Sequence, residues 1–351
     1  MNKEAYEFIP EDFELVGDSH EAFIDANYFS QSYWKDIFSR FAKNKGAIAG
    51  LIFILLIAAM AAVGPGMNEH TYSSQIISHQ NLAPRIRSLE STGIFDGSES
   101  MQTSTGTLEV NKYLPKEGAP ATGLEDTYYW FGTDVLGRDI FTRTWEGTRI
   151  SLYIALIAVI VDMLFGMSYG LISGYFGGRV DMLMQRFAEV LNGIPTLVLV
   201  TLLIIVMKPG LGTITLALAL TGWIGMSRIA RAQVLKLKEQ EFILASKTLG
   251  AGDLFIIFKE ILPNIFGQLI IMSMFSVPNA IFTEAFLAFV GLGVPAPMAS
   301  LGSLISDAFK SFTTHPYMIV FPVVVLAVIM LSFNLLADGL RDAFDPKMKE
   351  M

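Results

Sequence analysis

The amino-acid sequence predicts an all-α membrane protein with six transmembrane helices, and three observations carry that expectation. Of 351 residues, 52% are hydrophobic and 17% charged, with a mean hydropathy of +0.48, more apolar than a water-soluble domain requires. Six stretches approach the roughly 20 apolar residues that cross a hydrocarbon core about 30 Å thick. Lys and Arg gather on alternate sides of those stretches, which is how orientation in a membrane is written.

In order, the stretches are 46–65, 150–176, 190–207, 211–227, 265–294 and 317–337. Asp162 is the only charge in the second and Glu284 the only one in the fifth; the others carry none. With the N terminus inside, fifteen Lys and Arg fall on the inner flanks, among them Lys35, Arg40, Arg179, Arg231, Lys247 and Arg341. The two short outer loops hold Lys208 and Lys310. Both termini are therefore expected on the cytoplasmic side. The expected layout is a cytoplasmic tail (1–45), a first transmembrane helix (46–66), an extracellular loop (67–147), a membrane core of spans 2 to 6 (148–340) containing a cytoplasmic loop (228–264), and a second tail (341–351).

The formal charge of −8 is local, because residues 1–30 hold eight acids and one Lys. No single-signed field covers the chain, so neither nucleic acid nor an acidic surface is implied as a partner. That N-terminal run lacks the basic start and apolar stretch of a secretory signal, so the first hydrophobic stretch is expected to remain as an anchor. Cys is absent, which excludes a disulfide framework, thiolate metal ligation and a Cys nucleophile. His20, His70, His79 and His315 show no helical pairing with acids, and there is no HExxH pattern, nucleophile elbow or Walker-type phosphate loop. The chain reads as no enzyme and no metalloprotein, with no cofactor of its own. Segment 67–147, rich in Ser, Thr, Gly and acids, reads as a partly irregular insertion. It is either a solvated loop or a surface that helps dock an external protein.

The most informative segment follows the fourth span and reads EFILASKTLGAGDLFIIFKEILPN from Glu241. A helix over 232–249 is expected to halt at Gly250, which adopts the left-handed conformation that ends helices. Asp253 then caps a second, shorter helix whose Leu254, Ile256, Ile257, Phe258 and Ile261 run up to Pro263. On the residues alone, two readings stay open: an amphipathic hairpin lying in the interface, or an element that docks on another protein.

This segment resembles the EAA loop of ABC importer permeases, in which a Glu-Ala-Ala triplet precedes a Gly and, further on, Ile-Leu-Pro. Ala245, Gly250, Ile261, Leu262 and Pro263 stand where that pattern expects them; Leu244 takes the place of the Glu and Ser246 that of the second Ala. Before the second span, WFGTDVLGRDIFTRTWEGTRISL (130–152) is similar to the entry segment of the dipeptide and oligopeptide branch, through Gly132-Thr133-Asp134, Leu136-Gly137-Arg138-Asp139 and Arg149-Ile150-Ser151-Leu152. With YWKDIFSRFAKNKGAIAG ahead of the first span and DGLRDAFDPK near the end, the likeness covers most of the chain and is to the C-type permease subunits of that branch.

The resemblance implies a plasma-membrane permease of an ATP-driven oligopeptide importer, which forms the translocation path with a second, homologous permease. It implies two cytoplasmic ATPase subunits, which bind the ATP and Mg, and an extracellular binding protein that delivers peptide. It assigns ATPase coupling to Glu241, Leu244, Ala245, Ser246, Gly250, Ala251 and Asp253. Rival readings are a permease of the same branch for dipeptides or nickel complexes, an ion-coupled secondary transporter using Asp162 or Glu284, and a membrane scaffold or receptor.

A charge near the bilayer centre costs about 2.5–3.5 kcal/mol, so Asp162, Glu189 and Glu284 each need a partner, water or an interface. Asp162, Asn279, Glu284 and Trp223 are candidates for a translocation path, each with a helix-to-helix contact as its alternative; Asn192 and Asn334 are ambiguous in the same way. Gly132 to Asp139 reads as a hydrogen-bonded turn, with direct substrate contact as its alternative, and Gly166, Gly170 and Gly174 as a stripe that lets a neighbouring helix come close, with gating as its alternative.

Overall fold

The computed structural model describes residues 33–103, 106–115 and 120–344; the acidic run 1–30, Lys347 and Lys349 lie outside the described residues. Helix α1 (Tyr33–Lys43) meets α2 (Lys45–Val63) at Asn44, whose side chain accepts from the Ala47 amide at 3.1 Å and so caps the second helix. α1 falls within what the sequence reads as a tail. It is a packed amphipathic helix whose Ile37 and Phe41 are buried against Ala47 and Ala343.

The next long helix, α3, runs over Ile140–Phe176 and starts well ahead of the expected residue 150. Asp139 is the cause: its carboxylate accepts from the Thr142 amide at 2.8 Å, which closes the first turn where hydropathy alone shows nothing. The expected span 190–207 is broken near its start. It divides into α4 (Gly178–Asn192) and α5 (Thr196–Met207), which are bent by 77°. Pro195 sits at the break, with no amide to donate and a ring that pushes Ile194 out of helical geometry.

The fourth long helix, α6 (Leu211–Leu237), overruns its expected end at 227. The expected single helix 232–249 is broken at Lys238–Gln240, and a separate short helix, α7 (Glu241–Thr248), follows. The break lets Ile243 turn inward and bury against Ile256, Ile257 and Val234, which a straight continuation would not do. Helix α8 (Asp253–Leu292) does not stop at Pro263, contrary to the sequence reading. A wide π turn over Ile256–Ile261 precedes the proline and absorbs its missing amide, so the chain passes through. α9 (Leu301–Phe309) is opened by a reciprocal cap between Ser300 and Ser303, and α10 (Tyr317–Phe344) completes the chain.

Among the described residues, α2, α3, α6, α8 and α10 are long and apolar enough to cross a membrane, and the bent α4–α5 pair makes a sixth if counted as one span. The fold is therefore mostly helical, with one departure from all-α. In the segment expected to be partly irregular, β1 (Ser98–Thr103) pairs antiparallel with β2 (Gly106–Asn111), from Ser98 opposite Asn111 to Thr103 opposite Gly106.

That segment is organised around buried Arg85. Its guanidinium bonds Glu90 Oε1 at 2.6 Å and the Glu125 carbonyl at 2.7 Å, and lies over the Tyr113 and Tyr128 rings. His79 Nδ1 and Tyr129 Oη are 2.6 Å apart. Burial pushes the Tyr129 hydroxyl up to about 12, and burial with nearby His70 holds the His79 imidazole below its usual range. The turn at Gly132 to Asp139 is present, with Asp134 Oδ2 accepting from Arg138 Nε at 2.6 Å.

Candidate functional site

Two places combine polar chemistry with a means of positioning it. The first is a cavity of about 510 Å³ among α3, α4, α5, α6 and α8. Asp162, Asn192, Ser276 and Asn279 contribute its polar walls, with Thr221 and Thr283 beside them. Asp162 opens a π turn (Asp162–Gly166) within α3, the kind of local widening that often marks a functional position. Phe275, Ser276, Asn279 and Thr283 recur at three- and four-residue spacing on α8, so they share one face. That periodicity was available in the sequence, but a search for charges passes over it.

Of the four residues singled out within the spans, the structure brings Asp162 and Asn279 to this cavity, while Glu284 and Trp223 lie outside its walls. Glu284 is fully buried where α3, α8 and α9 meet. Ser151 Oγ donates to its Oε2 at 3.3 Å and accepts from the Leu301 amide at 3.3 Å. Its other oxygen has no hydrogen-bond partner among the described residues. Trp223 donates from Nε1 to the Leu220 carbonyl at 3.0 Å and packs against Phe165 and Tyr169.

The second place is the hairpin formed by α7 and the start of α8, at the far end of the helices from α9. Gly250 has φ +85°, and it closes α7 with paired bonds: its own amide to the Lys247 carbonyl and the Ala251 amide to the Ser246 carbonyl, each at 3.0 Å. This is the double-bonded helix stop that glycine favours. Asp253 does not cap α8 with its side chain as the sequence suggests. Gly252 holds the cap position, and the Asp253 carboxylate accepts instead from Tyr175 Oη at 2.6 Å, which fastens the hairpin to the end of α3. Ser246 Oγ donates to Glu260 Oε1 at 2.6 Å, and Lys247 lies over the Tyr175 ring.

The seven hairpin residues read from the sequence thus share one compact element. Ser246 and Asp253 tether it, while Glu241, Leu244, Ala245 and Gly250 face outward. Sequence reasoning missed Tyr175 and Glu260, whose partners are distant in the chain or unremarkable locally. The tether has a measurable consequence. Glu260 Oε2 is buried with no hydrogen-bond partner among the described residues, so Ser246→Ala strips the carboxylate of its hydroxyl donor as well. The expected cost is about 1–3 kcal/mol. Amide hydrogen exchange across Glu241–Thr248 should quicken roughly tenfold or more; unchanged exchange would remove the tether from the account.

The helices behind the hairpin are clamped too. Arg231 on α6 makes a paired contact with Asp181 on α4, at 2.6 and 2.5 Å. Lys238 Nζ donates to the Gly174 carbonyl at 3.1 Å. Hairpin, α3, α4 and α6 are therefore connected by directional bonds as well as by packing.

Residues 166–350 match the family described as binding-protein-dependent transport system inner membrane component, and residues 32–84 match the N-terminal transmembrane domain of oligopeptide transport permease C. The chain is 43% identical over 321 residues to the oligopeptide transport system permease protein OppC of Bacillus subtilis (strain 168), covering 92% of each chain. It is 42% identical over 321 residues to the dipeptide transport system permease protein DppC of the same organism, covering 91% of this chain and 88% of that one. With the DppC protein of Lactococcus lactis subsp. cremoris (strain MG1363) it shares 38% identity over 355 residues, covering 98% and 99%. Matches of that extent, over a bundle of membrane-length helices, place the chain in the inner-membrane permease family of binding-protein-dependent transport systems.

Proposed function

We propose that this protein is a channel-forming permease subunit of an ATP-driven, binding-protein-dependent oligopeptide importer, and that the α7–α8 hairpin is its mechanical connection to an ATPase. Both termini and the hairpin lie on the cytoplasmic side of the plasma membrane, and segment 67–139 lies outside. A second, homologous permease completes the translocation path, two separate ATPases bind ATP and Mg, and an external protein delivers the peptide. This chain hydrolyses nothing.

The observation that carries the reading is the hairpin surface. Leu249 is 88% exposed, and Phe242, Leu244, Leu254 and Phe255 are also exposed, on an element held rigidly to α3 and α8. An apolar surface of that kind suits a protein partner. A stiff mount transmits a push instead of absorbing it. ATP-driven movement of the partner then biases a helix bundle between two openings. Asp162 and Asn279, in the cavity between α3, α6 and α8, supply polar groups to the path.

Cross-linking tests this directly. Photoreactive residues at positions 246 and 251, carried by the intact complex, are expected to capture an ATPase subunit during turnover. Failure to capture one, or uptake driven by a proton or sodium gradient with ATP withheld, would sink the proposal. Labelled peptides of graded length then read out the cargo.

A further inference from the structure

At the opposite end of the helices from the hairpin lies a second cavity of about 400 Å³, walled by Arg138, Arg143, Lys310, Asp307, Ser303 and Ser306 together with residues of the loop between α8 and α9. Its charges do not balance. Three cations meet two carboxylates, Asp307 in the wall and Asp134 behind Arg138, and two of the cations are guanidinium groups on residues only 5% and 2% exposed, Arg138 and Arg143.

The nearby acids are already committed. Asp134 accepts from Arg138 Nε at 2.6 Å and from the Leu136 and Arg138 amides at 2.8 and 3.0 Å. Arg143 Nε approaches it only to 3.8 Å. Asp307 accepts from Lys310 Nζ at 3.1 Å, and its Oδ2 lies 4.0 Å from Arg138 Nη2. What remains for Arg143 is two backbone carbonyls, Tyr72 at 3.1 Å and Pro297 at 3.5 Å. Its Nε has no hydrogen-bond partner among the described residues. A buried guanidinium beside another, without its own carboxylate, is an expensive arrangement.

We propose that this cavity is a carboxylate-binding subsite that receives the C-terminal carboxylate of the incoming peptide. Guanidinium groups present paired donors that match a carboxylate's two oxygens, and a bound carboxylate supplies the missing counter-charge. Position favours the peptide as its source. α3 runs from this cavity at Ile140 to the hairpin at Tyr175, and α8 returns from the hairpin at Asp253 to the cavity at Gly291, so the site is a helix length from the hairpin. On the proposed orientation, which this inference adopts together with the importer reading, that is the side where cargo arrives. The Ser303 and Ser306 hydroxyls in the wall are further donors to an anion.

The test uses the whole complex in proteoliposomes, with the binding protein saturated by a peptide or by the same peptide amidated at its C terminus, and occupancy checked independently. Wild-type uptake is expected to favour the free acid about tenfold, which corresponds to ~1.4 kcal/mol. Lys310→Gln and Arg143→Gln should bring that ratio towards one. The Lys310 side chain is 73% exposed, so Lys310→Gln decides the matter even if the buried Arg143 variant fails to assemble. Equal wild-type uptake of both peptides, or a ratio unmoved by Lys310→Gln, overturns the subsite. It is also overturned if both peptides fall in step while the binding protein's own affinity weakens, because the carboxylate then belongs to the docking protein. Absence of ATP-dependent uptake of either peptide by wild type would instead strike at the importer reading.

Discussion

Replacing Gly250 with valine is expected to cut ATP-driven uptake at least tenfold while the membrane helices stay folded. The reason is confined to the backbone. A Cβ at this position meets no atom within 4 Å, so nothing collides, yet φ is +85°. An L-residue pays roughly 1–2 kcal/mol to adopt left-handed geometry, and a β-branched one pays more. Since ~1.4 kcal/mol is a factor of ten in population, the paired bonds that close α7 open in a large share of molecules, and a push on Leu249 then bends the hairpin instead of moving α3 and α8. The series should be graded: Gly250→Asn mildest, because asparagine tolerates this region, then Gly250→Ala, then Gly250→Val. Uptake per ATP hydrolysed is the readout, with circular dichroism as the check on folding. Valine matching glycine in that ratio would show that the hairpin's stiffness is irrelevant to transport.

The contrast between Gly250 and its neighbours explains how far the sequence could be read. Helices long and apolar enough to cross a bilayer announce themselves through composition, because the lipid imposes one rule on every residue they expose. The left-handed stop at Gly250 was legible for a similar reason, since few residues other than glycine meet that local demand. The failures have the opposite character. Asp253 looks like a cap in one dimension, but Tyr175 claims its carboxylate. Pro263 looks like a stop, but the π turn over Ile256–Ile261 makes room for it. The break after Leu237 has no glycine or proline at Lys238–Gln240 to signal it and follows from the burial of Ile243. Each miss is a local preference overruled by a contact far away in the chain. The same holds within the membrane. Glu284 and Asp162 are equally conspicuous as lone acids, and only the packing separates the one buried beside Ser151 from the one facing a cavity.

The glycine stripe on α3 tests whether that packing is as unforgiving as it looks, and Gly170→Leu should cost the folded permease about 3 kcal/mol, near the upper end for an overpacked core. A Cβ at Gly170 would press on the Ser227 carbonyl of α6 and stand 2.7 Å from Ala230 Cβ and 3.0 Å from the Arg231 amide. Two of those three atoms are backbone, which cannot turn aside, so α6 itself has to retreat. In a bilayer, helices associate through close packing and polar contacts, not through expulsion of water, so the retreat is not repaid elsewhere. It also pulls Arg231 from Asp181 and Lys238 from the Gly174 carbonyl, the bonds that register α6 against α3 and α4. Gly174→Ala, whose nearest contacts are 2.9 Å, should be milder than Gly170→Ala. Gly225→Ala, on the same α6 but with open space around it, should be neutral or slightly stabilising. Thermal unfolding in detergent ranks the four variants. If Gly170→Leu melts with wild type, the α3–α6 contact is slack, and a rigid path from the hairpin into the membrane loses its first link.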